Sequence, residues 1–156
     1  MPVEFILLNL PVIIALGVLL HLAWLDWRYF LLPNRHCLAL AILFLILAAM
    51  QLPLTTIGLH LLVGIAVLLI GAGIFYFGWL GGGDVKLLAA LALWAGPEQI
   101  HFLILGTALF GGVQALAMIV SLKLAKQGES WRSTPMPYGL SIIASGILVI
   151  AKALLH

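Results

Sequence analysis

Residues 81–96 read GGGDVKLLAALALWAG, and they lie between two longer apolar stretches. Three glycines and an aspartate open this segment, and a mostly apolar run follows them. In the whole chain of 156 residues, 65% are hydrophobic and only 8% are charged. A soluble domain of this size needs more polar surface to cover its core, so the composition predicts a protein that lies in a lipid bilayer.

Apolar runs long enough to cross a bilayer occupy most of the remaining chain. A helix needs about 20 apolar residues to cross the hydrocarbon layer. The run 85–96 is shorter, and its length fits a buried, re-entrant or tilted segment. With this run included, we predict an all-α bundle of six transmembrane helices, in a single integral-membrane domain over residues 1–156. The other five predicted spans are residues 3–25, about 37–54, 57–80, 100–122 and 138–155.

The positive charges predict the orientation of these helices. Six of the seven Lys and Arg residues fall in the first, third and fifth loops of the six-helix topology. Cytoplasmic loops carry an excess of Lys and Arg. We therefore expect these loops in the cytoplasm and both termini outside. The six residues are Arg28, Arg35, Lys86, Lys123, Lys126 and Arg132.

Two aspartates are expected at the cytoplasmic ends of helices. Asp26 ends the first predicted span, and Asp84 opens the fourth. Acidic side chains at such a depth are costly and usually mark a functional site or a partner. Asp84 also fits a helix N-cap, whose carboxylate accepts hydrogen bonds from free backbone N–H groups. Asp26 also fits an interfacial residue that pairs locally with Arg28.

Two carboxylates in contact have a distinctive chemistry. They can share one proton, because neighbouring like charges do not both ionise readily. One then acts as general base on a water molecule, and the other protonates or polarises the peptide carbonyl. The five histidines are scattered, one cysteine is present, and neither H-E-x-x-H nor G-x-S-x-G occurs. We therefore expect no metal and no cofactor.

The predicted helix ends suggest different roles for the two acids. Asp84 is expected at a helix N-terminus, where the helix dipole favours an ionised carboxylate. Asp26 is expected at a helix C-terminus, where the dipole and desolvation both disfavour ionisation. This predicts that Asp26 holds the shared proton and that Asp84 activates the water.

Three motifs, in this order along the chain, resemble those of the type IV prepilin peptidases, a family of GxGD-type membrane aspartic proteases. DWRYFLLPN, residues 26–34, resembles the D-x-R-x-x-x-I-P-N segment of the family. GGGDVKL, residues 81–87, resembles its G-x-G-D-x-K-L segment, and PYG at 137–139 resembles the triplet that opens its last span. Leu32 replaces the usual Ile, and Phe30 stands where a basic residue is common.

The resemblance implies a bacterial inner-membrane endopeptidase that removes the leader of type IV prepilins or pseudopilins at the cytoplasmic face. The motif positions make Asp26 and Asp84 the catalytic pair. The implied partners are a prepilin helix and the lipid bilayer; no nucleic acid is expected, and no oligomeric state is implied. Longer members add a loop with paired CxxC motifs and an N-methyltransferase activity. The single cysteine identifies the chain with the short form, without that loop.

Several residues near the two acids are expected to support them. The glycines lack Cβ atoms, so a substrate strand can lie close to their loop, although a flexible linker also explains them. The turn at the Pro-Asn pair is expected to offer a second edge to an extended substrate. The two cations fit cytoplasmic-side anchors better than catalytic groups. These supporting residues are Gly81, Gly83, Pro33, Asn34, Arg28 and Lys86.

A small ion-coupled membrane transporter is the alternative function. Paired membrane carboxylates and a helix broken by glycine also form cation or proton sites. Both acids are expected at one interface rather than at the midplane, and the spans show no repeated halves, which favours the peptidase. A purely structural subunit of a secretion machine would leave the paired acids without a role.

Overall fold

The computed structural model describes residues 3–124 and 138–152, and these residues form α-helices without any β-strand. Four helices are long and apolar enough to cross a membrane, and the last described helix is shorter and apolar. The prediction of an all-α protein is confirmed, and the four long helices are candidate membrane spans. The helices are α1 (Val3–Tyr29), α2 (Asn34–Gln51), α3 (Leu54–Tyr76), α4 (Gly82–Leu124) and α5 (Tyr138–Lys152).

α4 is broken at Gly96, where the backbone has φ 56° and ψ −170°. The next residue is Pro97, and a residue before proline is disfavoured in the α conformation. Pro97 also lacks an N–H, so the Leu93 carbonyl has no partner four residues further on. Nδ1 of His60, on α3, lies 2.6 Å from that carbonyl oxygen and donates to it. Because an unpaired carbonyl is costly in lipid, this bond stabilises the break.

The break divides α4 into a first arm (82–95) and a second arm (97–124). It falls between the predicted fourth and fifth spans, 85–96 and 100–122. A helical rise of about 1.5 Å per residue gives the first arm a length of roughly 21 Å, which is less than the hydrocarbon thickness of about 30 Å. The two helices that the sequence predicted therefore follow one another directly at Gly96, without the short loop that was expected between them.

α2 and α3 each begin about three residues before their predicted positions. Pro33 and Pro53 are the N-caps, with φ of −66° and −68° and an extended ψ. Proline suits a helix start, because its ring fixes φ and no N–H is needed there. The apolar runs do not reveal this, because polar residues directly follow Pro33 and because Pro53 lies inside the run predicted as the second span. α3 also ends at Tyr76 rather than at residue 80, before a turn in which Gly78 has φ 73°.

Two helices, α2 and α5, each pack against both α1 and α4. α1 packs against α2 and α5, whereas α4 packs against α2, α3 and α5. This arrangement brings the last turn of α1 and the first turn of α4 to one cavity. Many large apolar side chains of α3 and of the second arm are exposed, as expected of helices in lipid. Fully buried side chains between the helices include Leu19, Leu22, Leu40, Leu87, Leu91, Ile142 and Ile143.

Candidate active site

Asp26 and Asp84 line a single cavity of about 310 Å³, which lies where α1, α4 and α5 meet. The two carboxyl groups are close enough to interact electrostatically. The structure thus brings together two acids that are far apart in the sequence. The other lining residues are Phe30, Leu31, Leu32, Gly81, Gly83 and Tyr138.

Asp26 lies in the last turn of α1 and is only 4% exposed. Its Oδ2 accepts a hydrogen bond of 2.9 Å from the backbone N–H of Leu140. Leu140 lies in the first turn of α5, where backbone N–H groups have no acceptor within the helix. Asp26 therefore lies against the N-terminus of α5 as well as at the C-terminus of α1. The sequence revealed only the second of these two positions.

Asp84 lies in the first turn of α4, which begins at Gly82. The N–H of Val85 donates to the Gly81 carbonyl at 3.1 Å, so Gly81 is the N-cap. Asp84 is therefore the third helical residue and not the N-cap that the local pattern suggested. Its carboxylate interacts with the backbone N–H of Gly81, as the acid at this position does in a capping box. This capping contact leaves the carboxyl group on the cavity wall.

The glycines before Asp84 permit close contacts within the protein. A Cβ atom on Gly81 would lie 2.6 Å from Oδ2 of Asp84, and one on Gly83 would lie 3.0 Å from Cβ of Leu32. Gly82 and Gly83 belong to α4 and do not form a linker. The missing Cβ of Gly83 thus allows the chain between α1 and α2 to approach the first turn of α4, and that of Gly81 makes room for the Asp84 carboxylate.

A hydrogen bond joins the two motif segments beside the cavity. Nζ of Lys86, in the first arm of α4, donates to Oδ1 of Asn34 at 2.9 Å. Asn34 begins α2 directly after Pro33. The sequence did not reveal this pair, because the two residues are 52 positions apart. Arg28, by contrast, is exposed and does not line the cavity.

Phe30 has an unusual backbone conformation at the edge of the cavity. Its φ of 52° lies in the left-handed region, which is rare for a bulky residue. Its N–H donates to the Asp26 carbonyl at 3.0 Å, which closes the last turn of α1. Backbone strain of this kind is found most often near functional sites.

Sequence reasoning missed the contribution of α5 to the site. Tyr138 lines the cavity, and Leu140 donates to Asp26, yet only the PYG triplet pointed to this region. Pro137 lies outside the described residues. Within the described ranges, no group of three or more His, Cys, Asp or Glu side chains is placed to hold a metal ion. Two facing carboxylates can provide a general base and a general acid.

Comparison with known proteins agrees with the motifs. The sequence model of the type IV leader peptidase family matches residues 13–116, a region that includes both aspartates. The chain is 29% identical over 141 residues to a prepilin leader peptidase/N-methyltransferase of Bacillus subtilis (strain 168). That match covers 88% of this chain and 54% of the relative, so the chain spans about half the relative's length. No solved structure matches the chain. The chain belongs to the type IV leader peptidase family.

Proposed function

We propose that the chain is a membrane-embedded aspartic endopeptidase that removes the leader peptide of type IV prepilins or pseudopilins. The observation that carries this proposal is the meeting of two acids from separate motifs in one cavity. Family membership supports the hydrolysis of a peptide bond. The name of the Bacillus subtilis relative supports a prepilin as the substrate class.

In the proposed reaction, Asp26 and Asp84 share one proton and act on one water molecule. The ionised carboxylate takes a proton from the water, whose oxygen attacks the scissile carbonyl carbon. The protonated carboxyl group donates its proton to the carbonyl oxygen. The tetrahedral intermediate then collapses and the C–N bond breaks. The carboxyl group that took the water proton gives it to the leaving amine, and the other carboxylate takes the hydroxyl proton as the carbonyl re-forms. Neither a metal nor a cofactor takes part in this reaction.

The substrate must expose an extended backbone to be cut. Free N–H and C=O groups are tolerated at membrane depth only where protein or water satisfies them. Two non-helical segments, 30–33 and 77–81, contribute residues to the cavity wall. We propose that their backbone groups bind the extended segment of the substrate while its apolar helix stays in lipid.

We propose that the cavity faces the cytoplasm across a bacterial inner membrane, with six spanning segments and both termini outside. Arg28 lies in the last turn of α1, Arg35 lies in the first turn of α2, and Lys86 directly follows the first turn of α4. These three cations are on the side of the bundle that carries the cavity, which fits the excess of Lys and Arg in cytoplasmic loops. Lys126 and Arg132 lie outside the described residues.

Reporter fusions test this topology. A reporter fused after Gln127, outside the described residues, should be active on the cytoplasmic side. One fused after Pro97, at the break in α4, should be active on the outer side. If both fusions report the same side, the first arm of α4 does not cross the membrane.

We propose peptidase activity without methyl transfer, although the name of the relative includes both activities. The chain has one cysteine, whereas the resemblance implies paired CxxC motifs in the longer members. The amine exposed by cleavage should therefore stay unmethylated unless another protein modifies it.

Co-expression with a prepilin from the same organism, in a host that has no prepilin peptidase, tests the proposed function. The prepilin should lose the mass of its leader when it is co-expressed with the wild-type protein, and it should keep that mass with Asp84→Asn. Intact-protein mass spectrometry measures the difference. An uncut prepilin beside a correctly inserted wild-type protein would contradict the proposal and favour a transporter.

A further inference from the structure

We infer that the first turn of α5 is a positioning element for Asp26: Gly139 makes room for its carboxylate, and the Leu140 N–H orients the carboxylate and stabilises its ionised form. This inference rests on the proposed peptidase function. It assigns a role in the reaction to backbone atoms of α5, a helix that contributes neither of the two acids.

The hydrogen bond defines which oxygen of Asp26 is free to act. An N–H donor pairs with an oxygen that carries no proton, so the bond to Leu140 reserves Oδ2 as an acceptor. Oδ1 is then left to face the shared proton or the water. A bond from N–H to an ionised carboxylate is stronger than one to a neutral acid. The positive end of the α5 dipole acts in the same direction.

Gly139 permits this contact through its lack of a side chain. A Cβ atom at this position would lie 2.7 Å from both Cγ and Oδ2 of Asp26, and 3.0 Å from Oδ1. Gly139 is not among the glycines with a positive φ, so the backbone conformation does not require glycine here. Glycine is required here because the Asp26 carboxylate approaches so closely. Any larger residue would push the carboxylate away from the Leu140 N–H.

The surroundings of Asp26 leave few other groups to stabilise its charge. Asp84 on α4 and Tyr138 on α5 are the titratable groups that share its cavity, and the wall from α1 to α2 contributes Phe30, Leu31 and Leu32. None of the described residues that line the cavity is cationic. The free N–H of α5 is therefore the donor that the structure provides for this buried carboxylate.

The variant Gly139→Ala and its matched control Gly146→Ala separate positioning from packing. Both glycines are buried on α5, and a Cβ on Gly146 would lie 2.5 Å from the Leu91 side chain without touching either acid. With a prepilin as substrate, Gly139→Ala should lower kcat about 100-fold, the usual cost of a displaced catalytic group, with KM nearly unchanged. Gly146→Ala should lower thermal stability and leave kcat within about threefold.

Equal losses of kcat in the two variants would overturn the positioning role and leave only packing. A wild-type protein that does not cut the prepilin would instead overturn the proposed function, so the two failures are distinguishable.

Replacing the Leu140 amide by an ester, through an α-hydroxy acid, removes the donor without adding an atom. The acidic limb of the pH profile of kcat/KM should then move to higher pH by about one unit, because the ionised carboxylate loses one hydrogen bond. The same replacement at Ser141, one residue further along α5, should leave that limb in place. An acidic limb that does not move in the Leu140 ester would overturn the claim that this N–H stabilises the ionised form.

Discussion

Asp26→Asn and Asp84→Asn are each expected to abolish leader cleavage, with kcat reduced about ten-thousandfold or more. An amide is not a general base, and it cannot share the proton on which the proposed mechanism depends. Groups that act as a unit show non-additive effects, so the double variant should be no less active than either single one. Cleavage of a prepilin, followed by mass spectrometry over a long incubation, measures the residual rate.

The structure explains why the loss should be chemical rather than structural. Asparagine has the shape of aspartate, and its carbonyl oxygen at position 26 still accepts the Leu140 N–H. Glu98→Gln is the matched control, since Glu98 is an exposed acid of α4 just beyond the break. It should cleave at the wild-type rate. Substantial cleavage by either aspartate variant would remove that residue from the mechanism.

The positions of the two acids could be predicted because they follow from length and charge. Apolar runs of bilayer length place Asp26 and Asp84 at span ends, and the cations place those ends on one side. Each of these signals is local, and each can be counted along the sequence. The cavity that both acids line agrees with these two signals taken together.

The helix starts and the break in α4 follow from proline chemistry, which a count of apolar residues does not include. Pro33 precedes a helix whose first three residues are polar, and Pro53 begins a helix inside the run predicted as the second span. Pro97 frees a carbonyl on α4, and His60 on α3 donates to it. A partner on another helix has no signature in local spacing, so no reading of the sequence predicts that pair.

The roles predicted for the two acids lose their basis in the structure. The sequence placed one acid at a helix C-terminus and the other at a helix N-terminus, and this contrast made Asp26 the holder of the proton. In the folded protein both carboxylates lie at helix N-termini: Asp26 at that of α5, and Asp84 at that of α4. The dipole of α5 opposes that of α1 at Asp26. Local helix position therefore no longer favours a proton on Asp26.

Gly96→Ala is expected to destabilise the protein more than the other single glycine-to-alanine changes in α4. Gly96 has φ 56°, a conformation that costs alanine about 1 kcal/mol or more. Its Cβ would also overlap the His60 ring and displace it. The Leu93 carbonyl would then lose its donor, which adds about 1–3 kcal/mol for an unsatisfied buried acceptor. We expect a total loss of about 3 kcal/mol in unfolding free energy.

Gly112→Ala, in the second arm of the same helix, is the control for this change. No atom lies within 4 Å of a Cβ at that position, so the substitution should be neutral or slightly stabilising. Reversible unfolding in mixed detergent micelles measures both variants.

A double-mutant cycle with His60→Ala then tests the cause of the loss at Gly96. Removing the ring makes room for the new Cβ, so Gly96→Ala should cost less in the His60→Ala background than in the wild type. The part of the cost that remains belongs to the positive φ alone. If Gly96→Ala destabilises no more than Gly112→Ala, the break does not depend on glycine, and another contact must hold the first arm and Asp84 in place.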